Sequence, residues 1–103
     1  MLENTASLAD TQAYVKRVLT ERGFDDETLA QKFMLLMEEM GELAQATLKH
    51  AGIKTGKDKQ LVAIEDEVGD VLIVLLDICN NLGVDAQAAL VQKEAKNSRR
   101  KWK

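Results

Sequence analysis

The chain has 103 residues, of which 46% are hydrophobic, 4% aromatic and 30% charged, and its formal net charge is -3. This length predicts one domain over residues 1–103. The single cysteine, Cys79, excludes an internal disulfide and favours a reducing, cytoplasmic compartment. Residues 1–12 lack the features of a signal peptide, and the apolar run at 71–76 is too short to cross a bilayer, so we expect no membrane partner.

The composition also predicts an all-α fold. Proline is absent, and alanine, leucine, glutamate, lysine and glutamine, which are strong helix formers, fill the chain. The first predicted helix covers 8–22 and ends before Gly23. The second begins after Asp25 and Asp26, which we expect to act as its N-terminal cap, and continues to about residue 51.

Two further helices complete a four-helix bundle. Residues 52–59, with two glycines and three lysines, are predicted to form a loop. The third helix is predicted over 60–82. Asp85 is expected to cap a fourth helix that reaches residue 100.

The third helix is apolar on nearly every face between residues 71 and 78. A surface helix shows only one apolar stripe, so this helix should be surrounded. Three helices of one chain could cover it, but a second copy would do so more easily. We therefore expect oligomerisation, as a dimer or a dimer of dimers, to complete the bundle.

Two clusters of carboxylates interrupt the apolar segments. Residues three or four apart share a helix face, so Glu39 and Glu42 point together, as do Glu67 and Asp70. If the second and third helices are antiparallel, the two pairs meet, and four oxygen ligands converge. Hard oxygen ligands without imidazole favour Mg²⁺, or alternatively Mn²⁺, over zinc. Glu38 lies at the border of the same face.

Each cluster also contains a glycine, Gly41 or Gly69. Glycine inside a helix costs about 1 kcal/mol relative to alanine. We interpret both glycines as points of close helix approach at the metal, with ordinary small-residue packing as the alternative.

Two other interpretations of the carboxylates are weaker. A solvated acidic face would carry basic residues four positions on, and none follows the carboxylates of either pair at that spacing. Glu65 and Asp66 fit a surface or supporting position better than a ligand position. A di-iron site requires two Glu-x-x-His motifs, and the chain has one histidine, His50, with Thr47 three positions before it.

The order of these motifs resembles that of the MazG-like all-α nucleoside triphosphate pyrophosphohydrolases. Glu-Glu-x-x-Glu at 38–42 is followed, after 24 residues, by Glu-x-x-Asp at 67–70. The similarity continues in Asp-Val-Leu-Ile at 70–73, in Gly-Val-Asp at 83–85 and in a Lys-x-x-x-Asn-x-x-Arg motif at 93–100. It covers about residues 30–102 and includes the dCTP pyrophosphatase branch of the family.

The resemblance implies an enzyme that hydrolyses a nucleoside triphosphate, most simply a deoxynucleotide, between its α and β phosphates. It assigns Mg²⁺ to four acidic positions and makes Glu38 a candidate catalytic residue that orients or deprotonates water. The products would be a monophosphate and pyrophosphate, and the role would be the removal of unwanted nucleotides. The four acidic positions are Glu39, Glu42, Glu67 and Asp70.

The resemblance also assigns substrate binding to Lys93, Asn97 and Arg100. At positions i, i+4 and i+7 they form one polar stripe that can hold phosphate oxygens. Neutralisation of the helix C-terminal dipole is the alternative explanation, and it is weaker for Lys93, two turns upstream. The aromatic residues of dCTP-preferring relatives are missing, since Val74 stands where tyrosine is frequent. Tyr14 is then the better aromatic candidate for a base contact.

Two other function classes compete with the enzyme. A non-catalytic nucleotide- or protein-binding helical module would keep the fold without turnover, although every acidic position of the motif is present. A nucleic-acid-binding protein could use the segment 93–103, which has six basic residues and one acidic residue. The acidic remainder of the chain would repel phosphate backbones, so we expect no nucleic acid partner.

Overall fold

The computed structural model describes the backbone of residues 1–51 and 57–100 and the side chains of residues 1–51 and 64–100. This part of the chain forms four helices and no strand, which confirms the all-α prediction. The helices are α1 (Leu8–Glu21), α2 (Leu29–His50), α3 (Lys57–Leu82) and α4 (Ala86–Ser98). None of the described helices combines the length and apolarity that a bilayer crossing requires.

Helix α1 has the boundaries that its sequence predicts. The hydroxyl of Ser7 accepts a hydrogen bond from the Asp10 amide at 3.0 Å and caps the first turn. At the other end Gly23 has a φ of 83°, in the left-handed region that glycine enters without steric cost. The amide of Phe24 then donates to the carbonyl of Leu19 at 2.8 Å and closes the last turn.

Helix α2 begins at a different cap from the predicted one. The Thr28 hydroxyl accepts from the Gln31 amide at 3.1 Å, and the Gln31 side chain accepts from the Thr28 amide at 2.8 Å. This reciprocal pair is a capping box, which satisfies two backbone donors at once. The prediction that Asp25 and Asp26 cap the helix was therefore wrong, because both lie in the preceding turn.

Helices α3 and α4 follow the prediction with small shifts. Helix α3 begins at Lys57, three residues earlier than expected, while the rest of the predicted loop, 52–56, lies outside the described residues. Gly83, with a φ of 70°, ends α3. The Asp85 carboxylate accepts from the Ala88 amide at 3.0 Å and caps α4, as predicted. Helix α4 ends at Ser98, two residues before the expected end.

Helices α2 and α3 form an antiparallel pair that supplies most of the tertiary contacts. Helix α1 packs on another side of α3, and α4 packs against α1. Burying apolar side chains between these helices drives their association. Among the described side chains, the buried apolar ones are those of Val15, Ala46, Val74, Leu76 and Ile78.

Helix α3 is not surrounded within one chain. Val74, Leu76 and Ile78 are buried, whereas Leu72 and Leu75 of the same segment are exposed. One chain alone therefore does not cover α3, because α1 and α2 leave part of its circumference exposed, and the expected coverage by a second copy stays a prediction.

The side chain of Gln12 connects three of the four helices. Its amide nitrogen donates to the Asn80 side chain at 3.0 Å and to the Val84 carbonyl at 2.7 Å. Its amide oxygen accepts from the Ala86 backbone at 2.9 Å. Gln12 is buried, so these bonds satisfy a polar group that would otherwise be costly. They also fix the start of α4 against α1.

We expect Gln12→Ala to lower the free energy of unfolding by about 1–3 kcal/mol, because it leaves buried polar partners without hydrogen bonds. Urea denaturation followed by circular dichroism measures this change. Gln45→Ala is the matched control, since Gln45 is exposed on α2 and should tolerate alanine. Equal midpoints for the two variants would contradict the role of Gln12.

Candidate metal centre

Three carboxylates from two helices converge near the middle of the α2–α3 pair. One oxygen each of Glu39, Glu67 and Asp70 lies within 4.8 Å of the other two. Glu39 and Glu67 are half-buried and Asp70 is exposed. The three-residue spacing puts Glu67 and Asp70 on one face of α3, and the antiparallel packing brings Glu39 of α2 opposite them.

Glu42, the fourth predicted ligand, lies beside this group. Its side chain lies near that of Glu67, and this proximity contributes to a raised pKa of Glu67. The structure therefore brings together the four predicted positions, three in a tight group and Glu42 next to them.

Burial and mutual repulsion raise the pKa of two cluster members above the ordinary 4.5. For Glu39, burial is the largest cause, followed by the charges of Glu42 and Asp70. For Glu67, burial is again the largest cause, and Glu42 follows. All of these influences come from burial and from other carboxylates. Bringing the side chains together therefore costs free energy unless a positive charge joins them.

Two oxygens in the cluster lack the partners that buried polar atoms normally have. Oε1 of Glu39 and Oε1 of Glu67 are buried and accept no hydrogen bond. Native structures leave few such atoms unsatisfied, and a bound ion is one recognised reason for an exception. Oxygen donors without imidazole or thiolate suit a hard divalent cation. The residues present therefore fit a divalent metal.

The remaining acidic residues of the two motifs lie around the cluster. Glu38 is exposed, and its charge helps to raise the pKa of Glu39, which places it beside the predicted ligands. Glu65 and Asp66 are exposed on α3, and the charge of Asp66 helps to raise the pKa of Glu67. These positions agree with the expectation that Glu65 and Asp66 are surface or supporting residues rather than ligands.

The predicted phosphate-binding stripe lies on a helix with a different packing partner. Lys93 and Arg100 are exposed and Asn97 is half-buried on or just beyond α4. Helix α4 packs against α1, whereas the carboxylates lie between α2 and α3. Among the described residues, the packing of one chain thus brings the acidic positions together, and α4 makes its main contacts with α1.

The family of the chain follows from comparison with known proteins. A family model described as the MazG nucleotide pyrophosphohydrolase domain matches residues 25–103. The chain belongs to this MazG family. The expected family is therefore confirmed. Enzymes of the MazG family generally use divalent metals, which agrees with the acidic cluster.

Two relatives support the membership. A dATP/dGTP diphosphohydrolase of Salmonella phage PMBT28 is 32% identical over 99 residues, which cover 96% of this chain and 29% of the relative. The chain thus spans less than a third of the length of that protein. The crystal structure of YPJD from Bacillus subtilis, provisionally described as a pyrophosphatase, is 30% identical with a TM-score of 0.76. That similarity covers 96% of this chain and all of the other, so the MazG fold is confirmed.

The two glycines of the MazG motifs do not mark close helix approach within the chain. A Cβ atom added at Gly41 or at Gly69 would meet no other atom within 4 Å. Each glycine is two residues from a cluster glutamate, a rotation of about 200° around a helix with 3.6 residues per turn. Both therefore lie on the far sides of α2 and α3, and the interpretation that they approach the metal was wrong.

Tyr14 lies away from the carboxylates. It lines a groove of about 330 Å³ between α1 and α3 whose α3 wall includes Gly69, Leu72 and Leu76. This wall is on the opposite side of α3 from Glu67. The Arg17 guanidinium lies 5.0 Å from the centre of the Tyr14 ring. The structure thus gives no support to Tyr14 as a base contact in the same chain.

A buried ion pair near the cluster was missed by the sequence analysis. Nζ of Lys32, a residue only 2% exposed, lies 2.7 Å from Oδ2 of Asp77 and 3.9 Å from a carboxylate oxygen of Glu27. Lys32 precedes Glu39 by seven residues, and Asp77 follows Asp70 by seven. The pair therefore lies on the same two helix faces as the cluster, two turns away. In the sequence, Lys32 and Asp77 are each a charged residue within an apolar segment, and this pattern could have indicated a buried ion pair.

Proposed function

We propose that this MazG domain hydrolyses nucleoside triphosphates between the α and β phosphates in a Mg²⁺-dependent reaction that gives a monophosphate and pyrophosphate. The observation that carries the proposal is the group of Glu39, Glu67 and Asp70, two of which have a buried oxygen without a hydrogen-bond partner. A divalent cation held by these carboxylates could also bind the phosphate oxygens of a substrate.

The four acidic positions would hold the metal, with Glu39 and Glu67 as inner ligands and Glu42 and Asp70 at the exposed side. A bound divalent ion would neutralise charge on the phosphates and polarise the bond between the α and β phosphates. Glu38, exposed next to Glu39, is the proposed catalytic residue. Its carboxylate would orient a water molecule and take up its proton.

Lys93, Asn97 and Arg100 are the proposed substrate-binding residues. Lysine and arginine donate charge-assisted hydrogen bonds to phosphate oxygens, and the asparagine amide can donate to phosphate or sugar. Lys93 and Asn97 lie one turn apart on α4 and Arg100 lies just beyond its end, so the three residues extend over a length that suits a chain of phosphates.

Deoxynucleoside triphosphates are the proposed substrates. The phage relative is a dATP/dGTP diphosphohydrolase, so purine nucleotides come first in a substrate panel. The resemblance to the dCTP pyrophosphatase branch adds pyrimidines to the same panel. Removal of unwanted nucleotides from the cytoplasmic pool would be the biological role.

The proposal predicts which bond breaks. Incubation with dATP and Mg²⁺ should release dAMP and pyrophosphate, which ion-exchange chromatography separates and quantifies. Addition of excess EDTA should stop the reaction, and Mn²⁺ should restore it, because both ions accept oxygen ligands. Release of dADP with orthophosphate would contradict the assigned bond, and turnover that persists in EDTA would contradict the metal.

We also propose that the enzyme is a homo-oligomer. The chain exposes 7929 Å², whereas a monomeric protein of this mass exposes about 5,800 Å². Its radius of gyration is 16.1 Å, compared with about 13 Å for a compact chain of this length. The excess of roughly 2,100 Å² is of the size that a partner subunit covers.

The uncovered surface is apolar as well as large. Helix α2 exposes Phe33, Met37 and Met40 at helical spacing, and Met37 is 73% exposed. Gly41, where an added side chain would meet open space, adjoins the same face. A contiguous apolar surface of this kind marks an interaction site. A second copy of the chain is the partner that we propose for it.

A further inference from the structure

We propose that the buried ion pair of Lys32 and Asp77 fixes the register of α2 against α3, and that this register brings the carboxylate cluster together. Both would be positioning residues, which act on the metal through the two helices and do not contact it. The inference rests on the proposed function and deepens it, because it names residues outside the cluster that set the metal affinity of the site.

The ion pair and the carboxylate cluster share one alignment of the two helices. Seven residues separate Lys32 from Glu39 on α2, and seven separate Asp70 from Asp77 on α3. Because the helices are antiparallel, the contact of 2.7 Å between Nζ of Lys32 and Oδ2 of Asp77 requires the same alignment as the approach of Glu39 to Asp70. Seven residues span about two turns, or roughly 10 Å of helix, so the pair acts from a distance.

A change of register would open the cluster. The nearest register that keeps the same helix faces in contact slides α2 along α3 by one turn, which is about 5.4 Å. In the observed register, one oxygen each of Glu39, Glu67 and Asp70 lies within 4.8 Å of the other two. A slide of one turn would take Glu39 away from α3's two carboxylates, and it would separate Lys32 from Asp77 as well. The ion pair therefore opposes the displacement that would dismantle the cluster.

Neighbouring contacts on these faces specify the register weakly. Leu36 of α2 is half-buried and Val74 of α3 is buried, and both lie between the ion pair and the cluster along the helices. Apolar contacts have no direction, so such side chains can repack after a slide. The cluster opposes its own assembly without a metal, because burial and mutual repulsion raise the pKa of Glu39 and of Glu67. The ion pair supplies a directional contact between the same two helices.

Lysine is a costly residue at position 32. Thr28 caps α2, so Lys32 lies at the end of the first turn, close to the positive end of the helix dipole. Its side chain is only 2% exposed, so its charge is also removed from water. An apolar pair of similar volume is often as stable as a buried ion pair, or more stable. Stability alone therefore does not explain the two charges, whereas the selection of one register does.

Glu27 extends the ion pair to the start of α2. One of its carboxylate oxygens lies 3.9 Å from Nζ of Lys32. Glu27 directly precedes the Thr28 cap and Lys32 follows it by four residues, which are the two positions where an apolar pair often packs. Lys32 thus joins the turn before α2 to α3, and one side chain fixes both the entry of the chain into α2 and the register.

The apolar double variant Lys32→Met/Asp77→Leu separates the register from the stability. Its circular dichroism spectrum and its unfolding midpoint in urea should stay close to those of the wild type, because no charge is left unpaired. Its affinity for Mn²⁺, measured by electron paramagnetic resonance, should nevertheless fall by about 10-fold or more, as is typical when residues that orient metal ligands are changed. Lys32→Arg keeps the charge pair and should bind Mn²⁺ nearly as tightly as the wild type.

Activity provides a second measurement. The Mg²⁺ concentration that gives half-maximal hydrolysis of dATP should rise in the double variant by the same factor as the loss of Mn²⁺ affinity. Its kcat at saturating Mg²⁺ should approach the wild-type value, because the metal ligands themselves are unchanged. A role in packing alone would reduce the folded fraction and leave the Mg²⁺ requirement as it is in the wild type.

A folded double variant that binds Mn²⁺ as tightly as the wild type would overturn the proposal. Should the apolar pair fail to fold, Asp77→Asn gives the same comparison, since it keeps the volume and weakens the pair: a loss of Mn²⁺ affinity supports the register role and an unchanged affinity overturns it. A wild-type protein that binds Mn²⁺ without hydrolysing nucleotides would contradict the proposed function and not the register role. A wild-type protein that binds no Mn²⁺ would contradict both.

Discussion

Replacing Glu67 with glutamine should raise the melting temperature of the metal-free protein and abolish the proposed Mg²⁺-dependent activity. The pKa of Glu67 is raised, first by burial and then by Glu42, so its ionised form destabilises the fold near neutral pH. The stability linked to this group is fully present below its ordinary pKa of 4.5 and is lost as the pH rises through the raised value. The glutamine side chain is uncharged, so it removes the repulsion between residue 67 and the neighbouring carboxylates.

The same change should weaken metal binding by more than about 100-fold, because it removes a charged ligand. Thermal unfolding from pH 4 to pH 8 and Mn²⁺ titration by electron paramagnetic resonance measure the two effects. The gain in melting temperature should disappear at the acid end of the range. Glu65→Gln is the matched control, since Glu65 is exposed on the same helix. A Glu67→Gln protein that is less stable at pH 8 and binds Mn²⁺ normally would contradict the metal site.

Replacing Lys32 with methionine should destabilise the fold by about 3–5 kcal/mol, the usual cost of removing one partner of a buried ion pair. Methionine fills a similar volume, so the loss arises from the Asp77 carboxylate, which loses its contact at 2.7 Å. The double variant Lys32→Met/Asp77→Leu should recover most of this loss, since an apolar pair of similar volume has no charge to leave unpaired.

Urea denaturation of the wild type, both single variants and the double variant measures the coupling between the two residues. Lys49→Met serves as a control at an exposed position near the end of the same helix. If the double variant is as unstable as Lys32→Met alone, Lys32 acts through packing rather than through its charge, and the interpretation as an ion pair fails.

Local signals were sufficient to predict most of the helix boundaries. Gly23 and Gly83 each adopt a positive φ after a helix, and Asp85 caps α4, because these effects depend on the nearest few residues. The start of α2 was mispredicted, because Asp25 and Asp26 are also good capping residues and nothing in the composition ranks them below Thr28. Thr28 differs from the two aspartates because Gln31 stands three residues after it and completes a capping box. A search for threonine followed by glutamine at that spacing would have found this cap.

The candidate metal centre was predictable because helical spacing and one assumption about packing were enough. Once α2 and α3 are antiparallel, Glu39 must face Glu67 and Asp70. The side of each helix on which Gly41 and Gly69 lie follows from the same geometry, and it was overlooked. The pair of Lys32 with Asp77 follows from the same alignment of the two helices, since each residue lies seven positions from its cluster carboxylate, and it was overlooked as well. The placement of α4 depends on hydrogen bonds of Gln12, which no local pattern shows.

The hydrogen bonds of Gln12 have a consequence for the order in which the chain folds. They join residues that are 68, 72 and 74 positions apart, whereas α2 and α3 are neighbours in the sequence. Closing a longer loop costs more entropy, so the α2–α3 hairpin should form before α1 and α4 dock on it. The nascent hairpin already contains all four carboxylates. A divalent ion that binds these carboxylates would therefore stabilise the early hairpin as well as the complete fold.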